Sequence, residues 1–221
     1  MRFGAGISFY NDVKALERCL DSLQELDKII CVDGRYPGFR SRSDLSNDGS
    51  TEVVRGFPNT LLVDYPATQI QKRNRYLQLS KDYELDFLLI MDSDEYIEEG
   101  ANWPLFKHAC EESVRLDEYD YRIYDVRYQN EMPWDLGERP RVWFKPWQIR
   151  YDVKQYRWII KAKCKDRPVY EGDNGRRLLP GITIKHQRSV RPEARNKAMD
   201  DYEDRLMHLE IKQMRRKYKL P

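Results

Sequence analysis

Four short apolar runs constrain the fold of this chain more than any other feature of its sequence. They extend from Phe3 to Phe9, from Lys28 to Asp33, from Thr60 to Asp64 and from Asp86 to Met91. A strand that is wetted on one face alternates apolar and polar residues, whereas these runs are almost continuously apolar. We therefore predict four strands that are covered on both faces.

Helical patterns separate these runs. Asn11 and Asp12 offer side-chain oxygens that can cap a helix, and apolar residues then recur at helical spacing from Val13 to Leu23. Further helices are predicted from about Gln69 to Tyr83 and from about Asn102 to Leu116. Because strands alternate with helices, the predicted fold class is α/β: a three-layer, Rossmann-like sandwich with a mostly parallel central sheet.

The pattern changes in the second half of the chain. Segments such as Tyr121 to Tyr128 and Ile182 to His186 are shorter and rich in aromatic or β-branched residues, which predicts mixed or antiparallel strands that complete the sheet. Pro192 to Leu220 carries apolar residues at helical spacing. We expect one domain over residues 1–191, with halves 1–100 and 101–191, and an amphipathic C-terminal helix over residues 192–221 that packs on it.

The composition excludes several classes of protein. Of the 221 residues 40% are hydrophobic, as in a globular domain and unlike a disordered chain. The longest apolar run, Phe87 to Met91, is far shorter than the roughly 18 residues of a membrane span, and the N-terminus lacks the pattern of a signal peptide. The four cysteines form no CxxC pair and indicate neither a zinc knuckle nor a disulfide framework. We expect a cytoplasmic protein.

Charge is distributed in blocks along the chain. Residues 139–191 hold 15 Lys and Arg against 4 Asp and Glu, whereas residues 1–138 hold 16 against 27. An acidic half could hold a cation, and a basic half could face an anionic ligand. Mutual compensation across a folded interior explains the same pattern equally well.

The strongest chemical signal is Asp92-Ser93-Asp94-Glu95, directly after the fourth apolar run. Carboxylates at positions i and i+2, where a buried strand runs into a loop, can share a divalent cation that in turn binds two phosphate oxygens. Oxygen ligands favour Mg²⁺ or Mn²⁺. A solvated acidic turn is the structural alternative.

Other polar residues are predicted to gather near this motif. Ligands of parallel sheets bind at the carboxyl ends of the strands, where this chain places Tyr10, Asp33 and Asp92. Lys72 and Arg73 lie near the start of the helix that precedes the fourth run. A helix N-terminus with basic side chains suits a diphosphate.

The order and spacing of these segments resemble those of the family 2 glycosyltransferases, nucleotide-diphosphosugar transferases with the GT-A fold. The resemblance covers residues 3 to about 100. The family's opening strand and helix resemble GISFYNDVKALERCLDSL, its second strand KIICVDG, its arginine helix QKRNRYLQL and its metal motif LLIMDSDE. One departure is the inserted stretch Arg35 to Leu45, which separates Asp33 from the turn-forming NDGST sequence.

The resemblance implies nucleotide-binding roles for four residues besides the metal motif. Ser8 and Tyr10 would border the nucleotide base. Asp33 would accept a hydrogen bond from the edge of the base, and Arg73 would lie near the base or the diphosphate. The donor would be a nucleoside diphosphate sugar, such as a UDP-sugar or a GDP-sugar.

The resemblance also implies a metal site. Asp92 would face the ribose and the metal, and Asp94 would be the principal metal ligand. Ile182 to His186 resembles the late GT-A strand that ends in a histidine, which in several members reaches the cation from the far side of the diphosphate. His186 is therefore the third predicted ligand of Mn²⁺ or Mg²⁺.

An inverting transferase further needs a carboxylate that takes the proton of the acceptor hydroxyl. In the family this base commonly lies well beyond the metal motif. Glu171 and Asp173, in the glycine-flanked loop YEGDNG, are the predicted candidates, and Glu131 and Asp135 in the QNEMPWDLG loop remain competitors.

The predicted function is transfer of a sugar from the donor to a hydroxyl group of an unknown acceptor, which could be a glycan or a lipid-linked or protein-linked group. No nucleic-acid partner is expected. The basic residues between Lys212 and Lys219 could contact a membrane surface, although a solvated helix terminus explains them more simply.

Two other functions stay open. A sugar-phosphate nucleotidyltransferase has the same nucleotide-binding architecture, and Gly4-Ala5-Gly6 resembles the start of its glycine loop, but its further Arg and Lys signature is missing. A non-catalytic nucleic-acid binder would use the basic segment with its tyrosines and tryptophans. That function leaves the acidic half and the Asp92–Glu95 motif unexplained.

Overall fold

The computed structural model describes residues 1–37, 39, 41, 43–116, 123–130, 136–152, 157–160, 167–168, 177–187, 189, 191, 193, 196–197 and 200–201. The strands are β1 (Phe3–Phe9), β2 (Lys28–Asp33), β3 (Thr60–Asp64), β4 (Phe87–Asp92), β5 (Glu95–Ile97), β6 (Ile123–Gln129), β7 (Leu136–Phe144), β8 (Ile149–Asp152), β9 (Arg157–Ile160), β10 (Arg167–Pro168) and β11 (Leu178–His186). The α-helices are α1 (Val13–Asp21), α2 (Ser50–Gly56), α3 (Gln69–Asp82) and α4 (Trp103–Leu116), and a 3-10 helix covers Pro146–Gln148.

Eight strands form one mixed sheet in the order β3-β2-β1-β4-β7-β6-β11-β5. The first four strands in this order are parallel to one another, β7 enters antiparallel to β4, and β11 runs parallel to β6. β8, β9 and β10 form a separate small antiparallel sheet. The predicted α/β class, with parallel strands followed by mixed ones, is confirmed.

One of the four early strands is less buried than its sequence predicted. β1, β2 and β4 are almost entirely buried, but every residue of β3 keeps some exposure. β3 forms the edge of the sheet, and no strand among the described residues pairs with its outer side. Because an edge strand and a central strand can both be apolar, continuity of the run did not distinguish them.

The two faces of the sheet carry separate cores, so the three predicted layers are present. One core joins alternate residues of β1 to α1, α2 and α4, and the other joins Leu88 and Ile90 of β4 to α3. On the α3 side a Cβ atom at Gly6 would lie 2.7 Å from the Tyr76 ring, so the residue at this position of β1 must lack a side chain. Gly4-Ala5-Gly6 thus lies inside β1 and is not the glycine loop of the nucleotidyltransferase alternative.

The sheet has to curl because of a short connection. Only Ser93 and Asp94 separate the end of β4 from the start of β5, yet three strands lie between these two in the sheet. The far edge of the sheet therefore returns to the carboxyl end of β4. Within that edge His186 of β11 stands opposite Glu95 of β5.

Helix α3 begins as predicted, and its cap explains why. Thr68 Oγ1 accepts a hydrogen bond from the Gln71 amide at 3.2 Å, and Gln71 Oε1 accepts one from the Thr68 amide at 3.0 Å. This capping box satisfies two backbone donors at the helix start. It places Lys72 and Arg73 in the first turns of α3.

The start of α1 differs from the prediction. Asp12 occupies the N-cap position, but its side chain makes no capping hydrogen bond. Asp48 Oδ2 accepts the hydrogen bond from the Val13 amide instead, at 3.1 Å. The Asp12 carboxylate bonds to Ser93 and Arg191.

The predicted C-terminal helix falls on residues 192–221, of which the structure describes only residues 193, 196–197 and 200–201. That prediction therefore lies largely outside the described residues. Among the helices that the structure does describe, none has the length and apolar character to cross a membrane.

Gly181 generates a first prediction. Its φ of +99° lies in the left-handed region, and a Cβ atom there would lie 2.7 Å from both Asn102 O and Phe106 N at the start of α4. Gly181→Ala should lower the free energy of unfolding by about 2–3 kcal/mol through backbone strain and collision. Gly56→Ala is the matched control, because a Cβ atom at Gly56 meets nothing within 4 Å. Urea unfolding measures both, and equal effects would refute the packing argument.

Candidate functional site

The carboxyl ends of the central strands meet as predicted. Register places Phe9 of β1 beside Asp33 of β2, and Ser8 of β1 beside Asp92 of β4. The curl of the sheet adds the end of β11, with His186, to the same place. Four strands thus contribute polar residues to one site.

Asp94 and His186 are in direct contact. His186 Nε2 lies 3.0 Å from Asp94 Oδ2, and Nδ1 of the same ring lies 2.8 Å from Asn130 Oδ1. The ring also stacks on Tyr128, with centroids 6.2 Å apart. Burial tends to lower the pKa of His186, but the bond to Asp94 raises it on balance. Both ring nitrogens face oxygens, which favours the doubly protonated ring in this arrangement.

Arg191 is the second partner of Asp94. Its Nη1 donates to Asp94 Oδ2 at 2.5 Å, while Nε and Nη2 donate to the two Asp12 oxygens at 2.9 and 2.8 Å. Nη2 also donates to Ser93 Oγ at 2.8 Å. Its side chain is only 11% exposed, so these charge-assisted bonds are shielded from water. Arg191 therefore lies among the carboxylates of the site.

Asp92 faces two other arginines. Its oxygens lie 3.6 Å from Arg73 Nη2 and 3.7 Å from Arg141 Nη1, and its side chain is 34% exposed. Burial tends to raise the pKa of Asp92, but the charges of Arg141 and Arg73 lower it below the ordinary value. Asp92 is therefore an ionised carboxylate at the open side of the site.

Glu95 is the buried end of the motif. Glu95 Oε2 accepts a hydrogen bond from the Asp92 amide at 2.7 Å, and Oε1 accepts one from Arg141. Burial raises the pKa of Glu95 to about 7 despite Arg141. Burial tends to lower the pKa of Arg141, but Glu95 and Asp92 raise it on balance, so the guanidinium stays charged. Glu95 thus orients Arg141 toward Asp92.

Two of the predicted base-binding residues are covered by described residues in or directly after the inserted stretch: Asp33 by Ser46, and Tyr10 by Phe39 and Ser43. Asp33 has no exposed surface, and its oxygens accept hydrogen bonds from the amide and hydroxyl of Ser46 at 2.9 and 2.6 Å. Burial raises the pKa of Asp33 against these bonds. Tyr10 donates its hydroxyl to Ser43 O at 2.8 Å and packs edge-on against Phe39. A base can reach these two residues only if this stretch moves.

Lys72 holds the floor of this covered region together. Its fully buried ammonium group donates to Phe9 O at 3.0 Å and to Gly34 O, and it lies 4.0 Å from the centroid of the Tyr36 ring. The Tyr36 hydroxyl lies 3.4 Å from Ser8 Oγ. Lys72 therefore ties the ends of β1 and β2 to α3 and does not point toward a diphosphate.

Several predicted residues lie outside the described part of the chain. These are both candidate bases, Glu171 and Asp173, and both competitors, Glu131 and Asp135. Their roles stay predictions.

The donors at the site fit a divalent cation in part. Among the described residues no group of three or more His, Cys, Asp or Glu side chains is arranged to hold a metal ion. Asp94 and His186 nevertheless offer a carboxylate and an imidazole that converge within 3.0 Å. Mg²⁺ is commonly bound by one or two protein carboxylates with substrate phosphates completing its shell, so a two-ligand protein site is compatible with such an ion.

Comparison with known proteins gives matches among solved structures alone. No protein-family model matches the chain, and no curated protein matches it. The Staphylococcus aureus TarS 1–349 structure in complex with UDP-GlcNAc is 21% identical, with 59% of this chain and 35% of that chain covered and a TM-score of 0.41. GalNAc-T7 with UDP, GalNAc and Mn²⁺ is 11% identical, with 84% and 44% covered and a TM-score of 0.49.

A third match is the Mycobacterium tuberculosis glucosyl-3-phosphoglycerate synthase in complex with Mn²⁺, UDP and glucosyl-3-phosphoglycerate. It is 15% identical, with 58% of this chain and 44% of that chain covered and a TM-score of 0.40. The chain spans less than half the length of each of these three structures. Membership of family 2 stays a prediction.

Lys72 supplies a prediction for the floor of the site. Lys72→Met should lower the free energy of unfolding by about 3–5 kcal/mol, because it strands two buried carbonyl groups and removes the positive charge near Asp33. Lys81→Met, at an exposed position of the same helix, should change it by less than about 0.5 kcal/mol. Urea unfolding of both variants is the measurement. If both variants unfold alike, the buried contacts of Lys72 do not stabilise the protein.

Proposed function

We propose that this chain is a metal-dependent glycosyltransferase that transfers a sugar from a UDP-sugar or GDP-sugar to an acceptor hydroxyl. The observation that supports it most is the convergence of Asp94 and His186 beside Asp92, at the carboxyl ends of the strands. Parallel α/β sheets bind ligands at this edge. Residues 1–100 would hold the nucleotide, and residues 101–191 would supply the acceptor side.

In this proposal Asp92, Asp94 and His186 hold Mn²⁺ or Mg²⁺. The bound cation would supply positive charge to the diphosphate oxygens. Asn130 accepts from His186 Nδ1, which leaves Nε2 as the coordinating nitrogen once its proton is lost. Arg191 would still have its two bonds to Asp12 if Asp94 held the cation.

Arginines of the site would stabilise the charge of the leaving group. Arg73 and Arg141 flank the exposed carboxylate of Asp92, so they lie where a diphosphate would approach. Both guanidinium groups stay charged in spite of their burial, because Asp92 lies beside Arg73 and Glu95 lies beside Arg141. Fixed positive groups of this kind lower a barrier when negative charge develops in the transition state.

The chemical step balances as a substitution at the anomeric carbon. The acceptor oxygen bonds to this carbon, the bond from the carbon to the diphosphate oxygen breaks, and the electron pair leaves with the diphosphate. The acceptor proton passes to a carboxylate, for which Glu171 and Asp173 are the proposed candidates. Ser8, Tyr10 and Asp33 would meet the base after the stretch that contains Ser43 and Ser46 moves.

The charge contacts weigh against a nucleic-acid binder. Arg141, Lys185 and Arg191, all from the basic segment, each contact carboxylates of the acidic half. These groups compensate acids within the fold, and a nucleic acid would have to compete with those acids for them.

Asp94→Asn tests the metal site directly. Hydrolysis of UDP-glucose or UDP-GlcNAc in the presence of Mn²⁺, followed as release of UDP, should fall by about 100-fold or more, because the main carboxylate ligand is lost. Asp82→Asn removes an exposed carboxylate at the end of α3 and should leave the rate unchanged. Circular dichroism confirms that both variants are folded. Undiminished hydrolysis in Asp94→Asn would remove Asp94 from the site.

Metal removal gives an independent prediction. At a UDP or GDP concentration of 100 times its dissociation constant, the nucleotide should stabilise the protein by about 2.7 kcal/mol in the presence of Mn²⁺. In EDTA this stabilisation should disappear, because the diphosphate then meets the site without the cation. Thermal unfolding measures both states. Nucleotide binding that is equally strong in EDTA would contradict the metal-bridged site, and stabilisation by an oligonucleotide alone would favour the nucleic-acid binder.

A further inference from the structure

A cavity of about 590 Å³ adjoins the proposed metal site. Its lining includes His186, whose Nε2 lies 3.0 Å from Asp94, and Asn130, which holds the other nitrogen of the ring. Gln129 and Lys185, which face each other across the β6–β11 pair, form part of the same wall. The volume is within the range of sites that take small ligands. A molecule in this cavity would therefore lie next to His186, a proposed ligand of the cation that binds the donor diphosphate.

The described part of the lining is polar, and apart from His186 its basic and acidic residues balance. The cavity is lined by two basic residues, Arg18 and Lys185, and by two acidic ones, Glu98 and Glu99, besides His186. Such a surface creates no strong field for either sign of ligand. It offers amide and carboxylate oxygens together with N–H donors, which is a set that hydroxyl groups can satisfy as both donors and acceptors.

The two basic side chains are already engaged. Lys185 Nζ lies 2.8 Å from Glu98 Oε1 and also donates to Gln129 Oε1. Arg18 donates to Gln187, and its guanidinium carbon lies 3.6 Å from the centroid of the Tyr96 ring. A phosphate or carboxylate ligand would have to break these contacts, whereas a neutral ligand can add hydrogen bonds to them. Tyr96 also gives the cavity an aromatic wall.

We propose that this cavity binds the acceptor, and that the part of the acceptor held there is a neutral sugar or polyol. This inference rests on the proposed function only where it identifies the bound molecule as the acceptor. The binding itself follows from the cavity, and it requires neither donor nor cation. Each described cation of the lining already has a partner, Gln187 for Arg18, Glu98 for Lys185 and Asp94 for His186, so a phosphorylated or carboxylated head group would have to displace one of them.

Ligand-observed NMR titration tests the inference with defined probes and without nucleotide. Methyl β-D-glucoside, methyl α-D-mannoside and methyl β-D-N-acetylglucosaminide are the neutral probes, and glucose 6-phosphate is the anionic one. At least one neutral probe should bind at millimolar concentration and more tightly than glucose 6-phosphate. Absence of binding by all three neutral probes, or tighter binding of the phosphate, overturns the proposal.

Two sets of variants locate the binding. Tyr96→Ala should weaken binding of the neutral probe by about tenfold, and Tyr96→Phe should retain it, because the ring supplies the wall. Tyr83→Ala is the matched control, since Tyr83 also lies under a cation, with Lys28 Nζ 5.4 Å from the ring centroid, but does not line the cavity. Equal binding by Tyr96→Ala and the native chain would refute the location.

Glu98→Gln is the second variant and keeps the test valid if Tyr96→Ala does not fold. The Glu98 side chain is 48% exposed, so its replacement should leave the fold intact. It removes the carboxylate that compensates Lys185, and the affinity for glucose 6-phosphate relative to the neutral probe should rise severalfold. Glu52→Gln removes an exposed ion pair with Arg55 on α2 and should leave that ratio unchanged. An unchanged ratio in Glu98→Gln refutes the charge-balance argument.

The outcome separates this inference from the proposed function. Donor hydrolysis by the native chain without Mn²⁺ dependence, or no hydrolysis of any sugar nucleotide, would contradict the function while leaving Tyr96-dependent sugar binding intact. Donor hydrolysis together with no binding of the neutral probes would leave the function intact and refute the cavity as the acceptor site.

Discussion

Arginines from the second half of the chain compensate the charge of carboxylates that are buried in the first half. Asp94 and Glu95 are almost completely buried, and a buried charge without a partner is strongly destabilising. Arg191 bonds to Asp94, and Arg141 bonds to Glu95. The two halves of the domain are therefore joined at the site itself. Removing Arg141 would leave Glu95 without its described cationic partner, and removing Arg191 would leave Asp94 with His186 alone among the described cations that bond to it. These ion pairs between the basic and the acidic segment account for part of the charge asymmetry of the sequence. They do not exclude an anionic ligand.

Sequence periodicity predicted β1 to β4, α1 and α3 because each is defined by a local pattern, whereas α2 and β5 were not predicted. Continuous apolar runs predicted β1, β2 and β4, and the helical pattern predicted α3, whose start the structure explains by the Thr68–Gln71 capping box. The edge position of β3 could not be predicted, because it depends on which strands pair. The contact between Asp94 and His186 was implied by a family resemblance, and strand register supplies its physical cause.

The site contains residues that local sequence could not assign. Asp12 looked like a helix cap, but Asp48 caps α1 and Asp12 bonds to Arg191. Arg141 lies inside a strand with no distinctive neighbours, and its partners Asp92 and Glu95 are more than forty positions away. Such long-range pairs depend on the curl of the sheet. Likewise Ser46 covers Asp33 and Ser43 covers Tyr10, and no spacing rule predicts these contacts.

Arg191 also determines how far the chain must extend for this arrangement to hold. It stands at the last position of the predicted domain, yet it contacts the loop that follows the first strand through Asp12. The guanidinium group of Arg191 thus connects the end of the predicted domain to its beginning. A shortened form that ended at residue 190 would lose Arg191 and, with it, the only described cation that touches both Asp12 and Asp94.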